Sequence, residues 1–190
     1  MNTYYDPKQD MANIEIVAGD YPGHIVAAKV KRIPIQKGKY LCDIYNYSLE
    51  VAPEVKKHSY QDNSGAIIDS SVYHGIKIRS GGTFLFIAPE EGDTHQANPG
   101  GNKRFMDLCE AVGKDCPVET VTINGEEREV YGIPSLDPGE MNGKPVIATV
   151  GLGRAYKNSD GDEVRPMEVK SCIAWPNGNA RDMEQEDLPF

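Results

Sequence analysis

The sequence predicts a mainly β protein, and two observations carry this prediction. Short runs rich in β-branched and aromatic residues recur along most of the 190-residue chain, and Gly, Asn, Asp or Pro separate them. A single stretch near the middle places apolar residues at helical spacing. A chain of this length is expected to form one domain whose core is large enough to fold without disulfides.

Four strands are predicted in the first half of the chain. Residues 1–13 are polar without periodicity, and we expect them to be flexible. The strands are the β-branched and aromatic runs Ile25–Ile35, Tyr40–Val51, Val72–Arg79 and Thr83–Ala88. A turn at 36–39 joins the first two strands, and Gly81-Gly82 joins the last two as a hairpin. The polar residues 54–70 are expected to form a loop.

One helix and two further hairpins are predicted in the second half. After a loop at 89–101, the stretch Asn102–Val112 has one apolar face, formed by Phe105, Leu108, Cys109 and Val112. Gly113 is suited to end this helix. The hairpins are Val118–Ile123 with Arg128–Ile133 around Asn124-Gly125, and Lys144–Tyr156 with Val164–Trp175 around Ser159-Asp160-Gly161.

Many strands with one central helix are typical of the OB-fold, a five-stranded barrel that binds single-stranded nucleic acid across one face. We therefore expect an OB-fold-like barrel with appended hairpins over residues 14–176, followed by an acidic tail at 177–190. A β-sandwich is the alternative, because the number of strands does not distinguish the two folds.

The net charge of −9 restricts how this chain can bind a phosphate. Residues 181–190 carry one arginine and four acidic residues, a net −3, so the rest of the chain carries −6. A phosphate-binding surface must then be a local patch on an acidic body, because the local field holds the phosphate. No apolar run approaches the ~20 residues of a membrane helix, and no signal-peptide pattern opens the chain. We expect a soluble cytoplasmic protein.

Catalytic and metal-binding signatures are not found in the sequence. The four histidines are far apart, and the four cysteines form no C-x-x-C pair. We therefore expect free, buried thiols and no metal site or cofactor. Without a nucleophile elbow, phosphate loop or Cys-His pattern, the chain is not expected to be an enzyme.

The hairpin around Gly81-Gly82 is a candidate nucleic-acid-binding element. A two-residue turn pairs Arg79 with Phe84 and Lys77 with Phe86. Because side chains alternate between faces, one face is apolar, and the other holds Tyr73, Lys77, Arg79, Phe84 and Phe86. Rings that stack on bases and cations that contact phosphates are what single-strand binding requires. Alternatively these rings pack under the helix, and a bulge at the glycines would undo the pairing.

A second candidate is the basic run on the first two strands. Its cations are Lys29, Lys31, Arg32, Lys37 and Lys39, with no acidic residue between positions 29 and 39. Tyr45 and Tyr47 follow on the next strand, so we predict a track of phosphate and base contacts here. Arg154 and Tyr156, which follow a Gly-x-Gly, are added as further binding candidates.

The C-terminal residues carry a resemblance to a known family. Acidic residues run up to an apolar residue, a proline and a phenylalanine, and the candidate protein-binding residues are Asp182, Glu184, Glu186, Asp187, Leu188, Pro189 and Phe190. Carboxylates steer such a tip to a basic patch, and the ring with the terminal carboxylate anchors it. This tip resembles that of bacterial and phage single-stranded DNA-binding proteins.

The resemblance implies a function for both parts of the chain. In that family an OB-fold body protects single-stranded DNA during replication, recombination and repair, and the tip recruits partner proteins. The chain is closer to the phage-encoded members of that family, which implies a place in the host cell cytoplasm. A homo-oligomer is possible. The alternative is a protein-interaction or virion component without DNA binding.

Overall fold

The computed structural model describes residues 15–35, 40–53, 59–61, 65–87 and 102–181. The strands, in chain order, are β1 (Gly19–Ile35), β2 (Tyr40–Val51), β3 (Ser59–Gln61), β4 (Ile67–Asp69), β5 (Lys77–Arg79), β6 (Thr83–Ile87), β7 (Val118–Ile123), β8 (Glu126–Tyr131), β9 (Pro145–Leu152), β10 (Tyr156–Lys157), β11 (Glu163–Val164) and β12 (Met167–Ala174). Within the same residues the α-helices are α1 (Lys103–Ala111) and α2 (Pro138–Met141), and a 3-10 turn spans Ser70–Tyr73.

The fold is mainly β, as predicted, and is built around one six-stranded sheet. Its strands follow the order β12-β9-β1-β2-β5, and β6 also pairs with β2. A parallel bridge between Ser80 and Val169 joins the two ends of this path, and the Gly81 N–H donates to the Val169 carbonyl at 3.3 Å. The sheet thus curls until its ends meet at one point. The other described strands form two-stranded ribbons, which does not favour a two-sheet sandwich.

Strand β1 begins at Gly19, six residues before the predicted start, and serves two neighbours. Its first part, from Gly19 to His24, pairs with β9, and the part from Gly23 to Ile35 pairs with β2. The register with β2 shifts between Val26 and Lys29, where Ala27 has a φ of 52°. Such a bulge increases the local twist and bends the strand, which lets one long strand follow a curled sheet.

The predicted hairpin around Gly81-Gly82 is wrong. Both β5 and β6 pair antiparallel with β2: Arg79 lies opposite Ser48, and Thr83 lies opposite Tyr45. They are therefore two parts of one bent strand, and the register shifts by one residue between them. Gly82 has a φ of 85°, a conformation that glycine adopts without strain. The glycines form a bulge in one strand rather than a turn between two.

Helix α1 confirms the predicted helix within one residue at each end. Phe105, Leu108 and Cys109 are buried, and the helix packs against β6 and β12. Gly113 follows with a φ of 75°, in the left-handed region expected after a helix. The Asn102 side chain does not cap the helix. It instead accepts from the Phe86 N–H at 2.8 Å and donates to the Phe86 carbonyl at 3.1 Å.

The two C-terminal hairpins are present, with changes of detail. Ribbon β7–β8 turns at Asn124 and Gly125, as predicted, and both have positive φ. Strand β9 pairs with β12, and the short ribbon β10–β11 interrupts their connection. Strands β3 and β4 lie within residues that were expected to form a loop, so that expectation is corrected.

The core lies inside the curled sheet and under α1. Its fully buried large side chains include Tyr21, Ile25, Leu49, Tyr73, Phe105 and Met141. All four cysteines are free thiols, and three of them are buried. None of the described helices is long and apolar enough to cross a membrane.

Candidate nucleic-acid interface

The structure brings predicted binding residues together on one face of β1, β2 and the bent strand β5–β6. Partners in an antiparallel register point to the same side of a sheet. Lys31 is the partner of Ile44, which is in turn the partner of Phe84. We define the outward face as the following residues on this side: Lys29, Lys31, Ile44, Asn46, Ser48, Glu50, Lys77, Arg79, Phe84 and Phe86. Cys42, the partner of Phe86, lies on the same side but is buried.

Two stacked rings lie at the edge of the outward face. Phe84 is 41% exposed and Phe86 is half-buried. Their ring centroids are 6.4 Å apart and the ring planes differ by 15°. This is the spacing of residues i and i+2 on one side of a strand. The two hydrogen bonds from Asn102 to the Phe86 backbone hold this end of β6 in place.

Cations lie on the same face as the rings. Within the described ranges, Lys29, Lys31 and Arg79 have no ion-pair partner within 4 Å, and their side chains are exposed. Lys77 differs, because its Nζ lies 3.5 Å from a Glu50 carboxylate oxygen. The described part of the outward face therefore has exposed cations beside partly exposed rings, the residue types that single-strand binding requires.

Arg32 lies on the opposite side of β1 from Lys29 and Lys31. The prediction that it belongs to the same phosphate track is therefore wrong. Its guanidinium donates twice to the largely buried Asp43, from Nε to Oδ1 at 2.7 Å and from Nη2 to Oδ2 at 2.8 Å. This hydrogen bond raises the pKa of Arg32. A bidentate pair of this kind neutralises the cation and fixes its direction.

The three tyrosines predicted to contact bases are buried, so that prediction is wrong. Tyr45 packs against Phe105 with ring centroids 5.0 Å apart and donates to the Leu136 carbonyl at 3.2 Å. The Tyr47 hydroxyl lies 3.4 Å from the Cys172 sulfur, and burial raises its pKa well above the ordinary value. Tyr45 and Tyr47 share the inward parity of β2.

Tyr73 belongs to the 3-10 turn and not to a strand, so the alternation used to place it does not apply. Its ring is fully buried and meets the Tyr21 ring edge-on at 5.7 Å. The prediction assumed a strand that extends back to Val72, but β5 begins at Lys77.

Arg154 and Tyr156 are exposed and lie in the connection between β9 and β12. The base of this connection is fixed where the Gly153 N–H donates to the Pro166 carbonyl at 2.6 Å. It adjoins the bulge of β5–β6, since a Cβ on either Gly81 or Gly153 would meet the Glu168 carboxyl group within 3 Å. The two residues therefore flank the outward face instead of forming part of it.

Several predicted residues lie outside the described ones. Lys37 and Lys39 fall in the 36–39 turn, and the whole acidic tip falls beyond Arg181. Arg181 itself pairs with Glu50 of the outward face and its N–H donates to the Gly143 carbonyl at 2.9 Å. The chain therefore reaches the edge of the outward face immediately before the tip begins.

Sequence reasoning missed three residues that build this surface. Ile44 separates Lys31 from Phe84, and Asn46 lies opposite Lys29. Asn102 fixes the backbone of Phe86 from a different element. The parity of β2 places Ile44 and Asn46 on one side, but only the register with β1 shows that this side faces outward. The contact from Asn102 depends on how the helix packs.

Comparison with known proteins gives no match to this chain. No protein-family model, no curated protein and no solved structure is similar to it. Among the described residues, no group of three or more His, Cys, Asp or Glu side chains could hold a metal ion.

Proposed function

We propose that the protein binds single-stranded DNA on the outward face. The observation that carries this proposal is the stacked pair Phe84 and Phe86 on the same face as Lys29, Lys31 and Arg79, which are exposed and have no ion-pair partner among the described residues. Base–aromatic stacking contributes about 1–3 kcal/mol per base and tolerates any sequence. The cations contact phosphates, which supplies the sequence-independent part of the affinity.

The strand path supports an OB-fold-like barrel. With β5–β6 counted as one bent strand, five strands form the path β12-β9-β1-β2-β5, and the Ser80–Val169 bridge links its ends. OB-folds bind across their second and third strands, flanked by the loop after the first strand and the loop before the last. Here those strands are β2 and β5–β6. The connection between β9 and β12, which holds Arg154 and Tyr156, corresponds to the loop before the last strand. Lys37 and Lys39 fall in sequence between β1 and β2, where the loop after the first strand belongs.

The protein is proposed to act in phage replication, recombination or repair, where it covers exposed single strands. Because the chain outside residues 181–190 carries a net −6, the local field of the cations on the outward face, and not the net charge, would hold the phosphates. The tip at 182–190 is proposed to recruit partner proteins, in keeping with its likeness to tips of single-stranded DNA-binding proteins. No catalytic step is part of this proposal.

Equilibrium binding of a fluorescein-labelled oligothymidylate tests the proposal. Anisotropy is measured from 50 to 300 mM NaCl, with duplex DNA and an oligouridylate of the same length as comparison ligands. If about 4–6 phosphates are neutralised, the log–log salt slope is about −3 to −4 at ~0.7 per contact. The duplex should bind less tightly, because its bases are not free to stack on the rings.

Absence of binding at 50 mM NaCl, or a flat slope, would reject the DNA role. Either result would favour the alternative of a protein-interaction or virion component, in which the tip docks on another protein. Retention of a partner by the full chain but not by a chain lacking residues 182–190 would then identify the tip as the docking element.

A further inference from the structure

A second surface, which is acidic where the outward face is basic, lies between helix α1 and ribbon β7–β8. The two elements enclose an open groove of about 1010 Å³, which we call the helix–ribbon groove. This volume is at the upper end of the ~300–1,000 Å³ of pockets that hold small ligands. It therefore suits a peptide segment better than a small molecule.

The helix–ribbon groove is apolar on its floor and rim. Met106 of α1 and Cys116 of the following segment are partly buried and line it. Tyr131, at the end of β8, is 68% exposed, and Ile133 beyond it is 48% exposed. Exposed large apolar side chains around a concave surface mark an interaction site.

The charges around the groove are negative. Within the described ranges, Glu110, Asp115 and Glu119 line it without an ion-pair partner. The two lysines that line it are already neutralised, since Lys103 lies 2.8 Å from Asp107 and Lys114 lies 2.7 Å from Glu140. The groove thus presents unpaired carboxylates around an apolar centre.

Each wall of the helix–ribbon groove is held by its own backbone hydrogen bonds. The Gly132 N–H donates to the Pro117 carbonyl at 2.7 Å, and the Lys114 N–H donates to the Cys109 carbonyl at 2.8 Å. A Cβ on Gly132 would lie 2.9 Å from the Pro117 ring, so the strands approach closely there. The ribbon wall and the helix wall are therefore each fixed by local backbone contacts.

We propose that the helix–ribbon groove binds a basic amphipathic segment of a partner protein. Its apolar side chains would pack between Met106 and Tyr131, and its Lys or Arg residues would meet Glu110, Asp115 and Glu119. Charge complementarity selects this occupant, because nucleic acid, an anionic membrane and the acidic tip of this chain would all be repelled. The inference does not depend on DNA binding at the outward face.

Three fluorescein-labelled 12-residue peptides test this proposal with the full chain. The first is amphipathic with Leu and Lys, the second has the same Lys residues with Ser in place of Leu, and the third has Leu and Glu. The first should bind in a saturable manner, the second at least about tenfold more weakly, and the third not at all. These ratios follow from combined apolar burial and charge pairing.

A matched pair of double variants locates the site. Tyr131→Ser with Glu119→Lys alters the groove. Tyr156→Ser with Glu163→Lys makes the same change on ribbon β10–β11, where Tyr156 is 53% exposed. The groove variant should weaken binding of the Leu/Lys peptide at least about tenfold, and the ribbon control should leave it unchanged. Both keep the wild-type melting temperature because the altered side chains are exposed.

Several results would overturn the proposal. They are equal binding of the Leu/Lys peptide to both variants, equal affinity for the Ser/Lys peptide, or no binding at all. A wild-type dimer that the groove variant converts to a monomer would assign the groove to a second copy of this chain. If the peptide bound only after residues 90–100 were replaced by a short linker, the occupant of the groove would be that loop and not a partner protein. Unchanged oligothymidylate binding by the groove variant separates these failures from failure of the DNA proposal.

Discussion

The two sides of β2 and its neighbouring strands differ in how far their aromatic rings are buried and in whether their cations are paired. On the inward side, Tyr45 and Tyr47 are buried and hydrogen-bonded. On the outward side, Phe84 and Phe86 are partly exposed and stacked on each other. The more polar rings are thus inside and the wholly apolar rings outside, opposite to what burial alone favours. The proposed DNA binding rests on the combination of these two rings with cations on the same face.

The cations show the same contrast. Arg32 has its charge satisfied by Asp43, while Lys29 and Lys31, three residues and one residue earlier, lie on the outward side without an ion pair within the described ranges. Neighbouring residues of one strand therefore differ in whether their charge is available. The contrast predicts that inward substitutions change stability and that outward substitutions change binding.

The largest expected effect is on the inward side. Tyr47→Ala removes a ring that is 5% exposed, and we expect the free energy of unfolding to fall by about 3–5 kcal/mol. Urea denaturation followed by circular dichroism measures this change. Tyr47→Phe, the matched control, removes only the hydroxyl contact with Cys172 and should cost about 1 kcal/mol or less.

Burial raises the pKa of Tyr47, so the folded state favours the protonated phenol. Stability from this residue is complete below the ordinary tyrosine pKa of about 10 and is lost as the pH rises above it. Tyr47→Phe should reduce that alkaline loss. If Tyr47→Ala instead left stability unchanged and weakened oligothymidylate binding, the assignment of Tyr47 to the core would be wrong.

The next effect is on the outward side. Phe84→Ala combined with Phe86→Ala should weaken oligothymidylate binding about 30-fold at ~1 kcal/mol per ring, the lower end of the stacking range because Phe86 is half-buried. Anisotropy at 50 mM NaCl measures the change. Tyr131→Ala is the control, since it removes a more exposed ring from the helix–ribbon groove and should leave DNA affinity unchanged. Equal losses in both variants would show that ring exposure alone, and not the outward face, decides binding.

Much of the fold and part of the candidate site could be predicted from the sequence. Strand β2 was predicted with its observed bounds, and α1 within one residue, because β-branched and helical patterns are local signals. The faces of Lys77, Arg79, Phe84 and Phe86 were placed correctly although their pairing was wrong. The bulge at the glycines adds one residue between β5 and β6. Within each of these two strands the side chains still alternate regularly between the two faces.

The errors came from information that the local pattern does not contain. Tyr73 was assigned to a strand, but the chain forms a 3-10 turn there, and only tertiary packing against Tyr21 shows this. The side of β2 that faces the core depends on the register with β1, so Tyr45 and Tyr47 could not be assigned from their spacing. The pairing of Arg32 with Asp43 joins residues 11 apart in sequence across two strands.

The salt dependence of oligothymidylate binding in two variants tests the central claim most directly. Lys29→Ser with Lys31→Ser removes two cations from the outward face, whereas Arg32→Ser removes one from the opposite side of the same strand. At ~0.7 per phosphate contact, the slope should become shallower by about 1.4 in the first variant and stay at its wild-type value in the second. An unchanged slope in the lysine variant, or a shallower slope in the arginine variant alone, would contradict the proposed binding face.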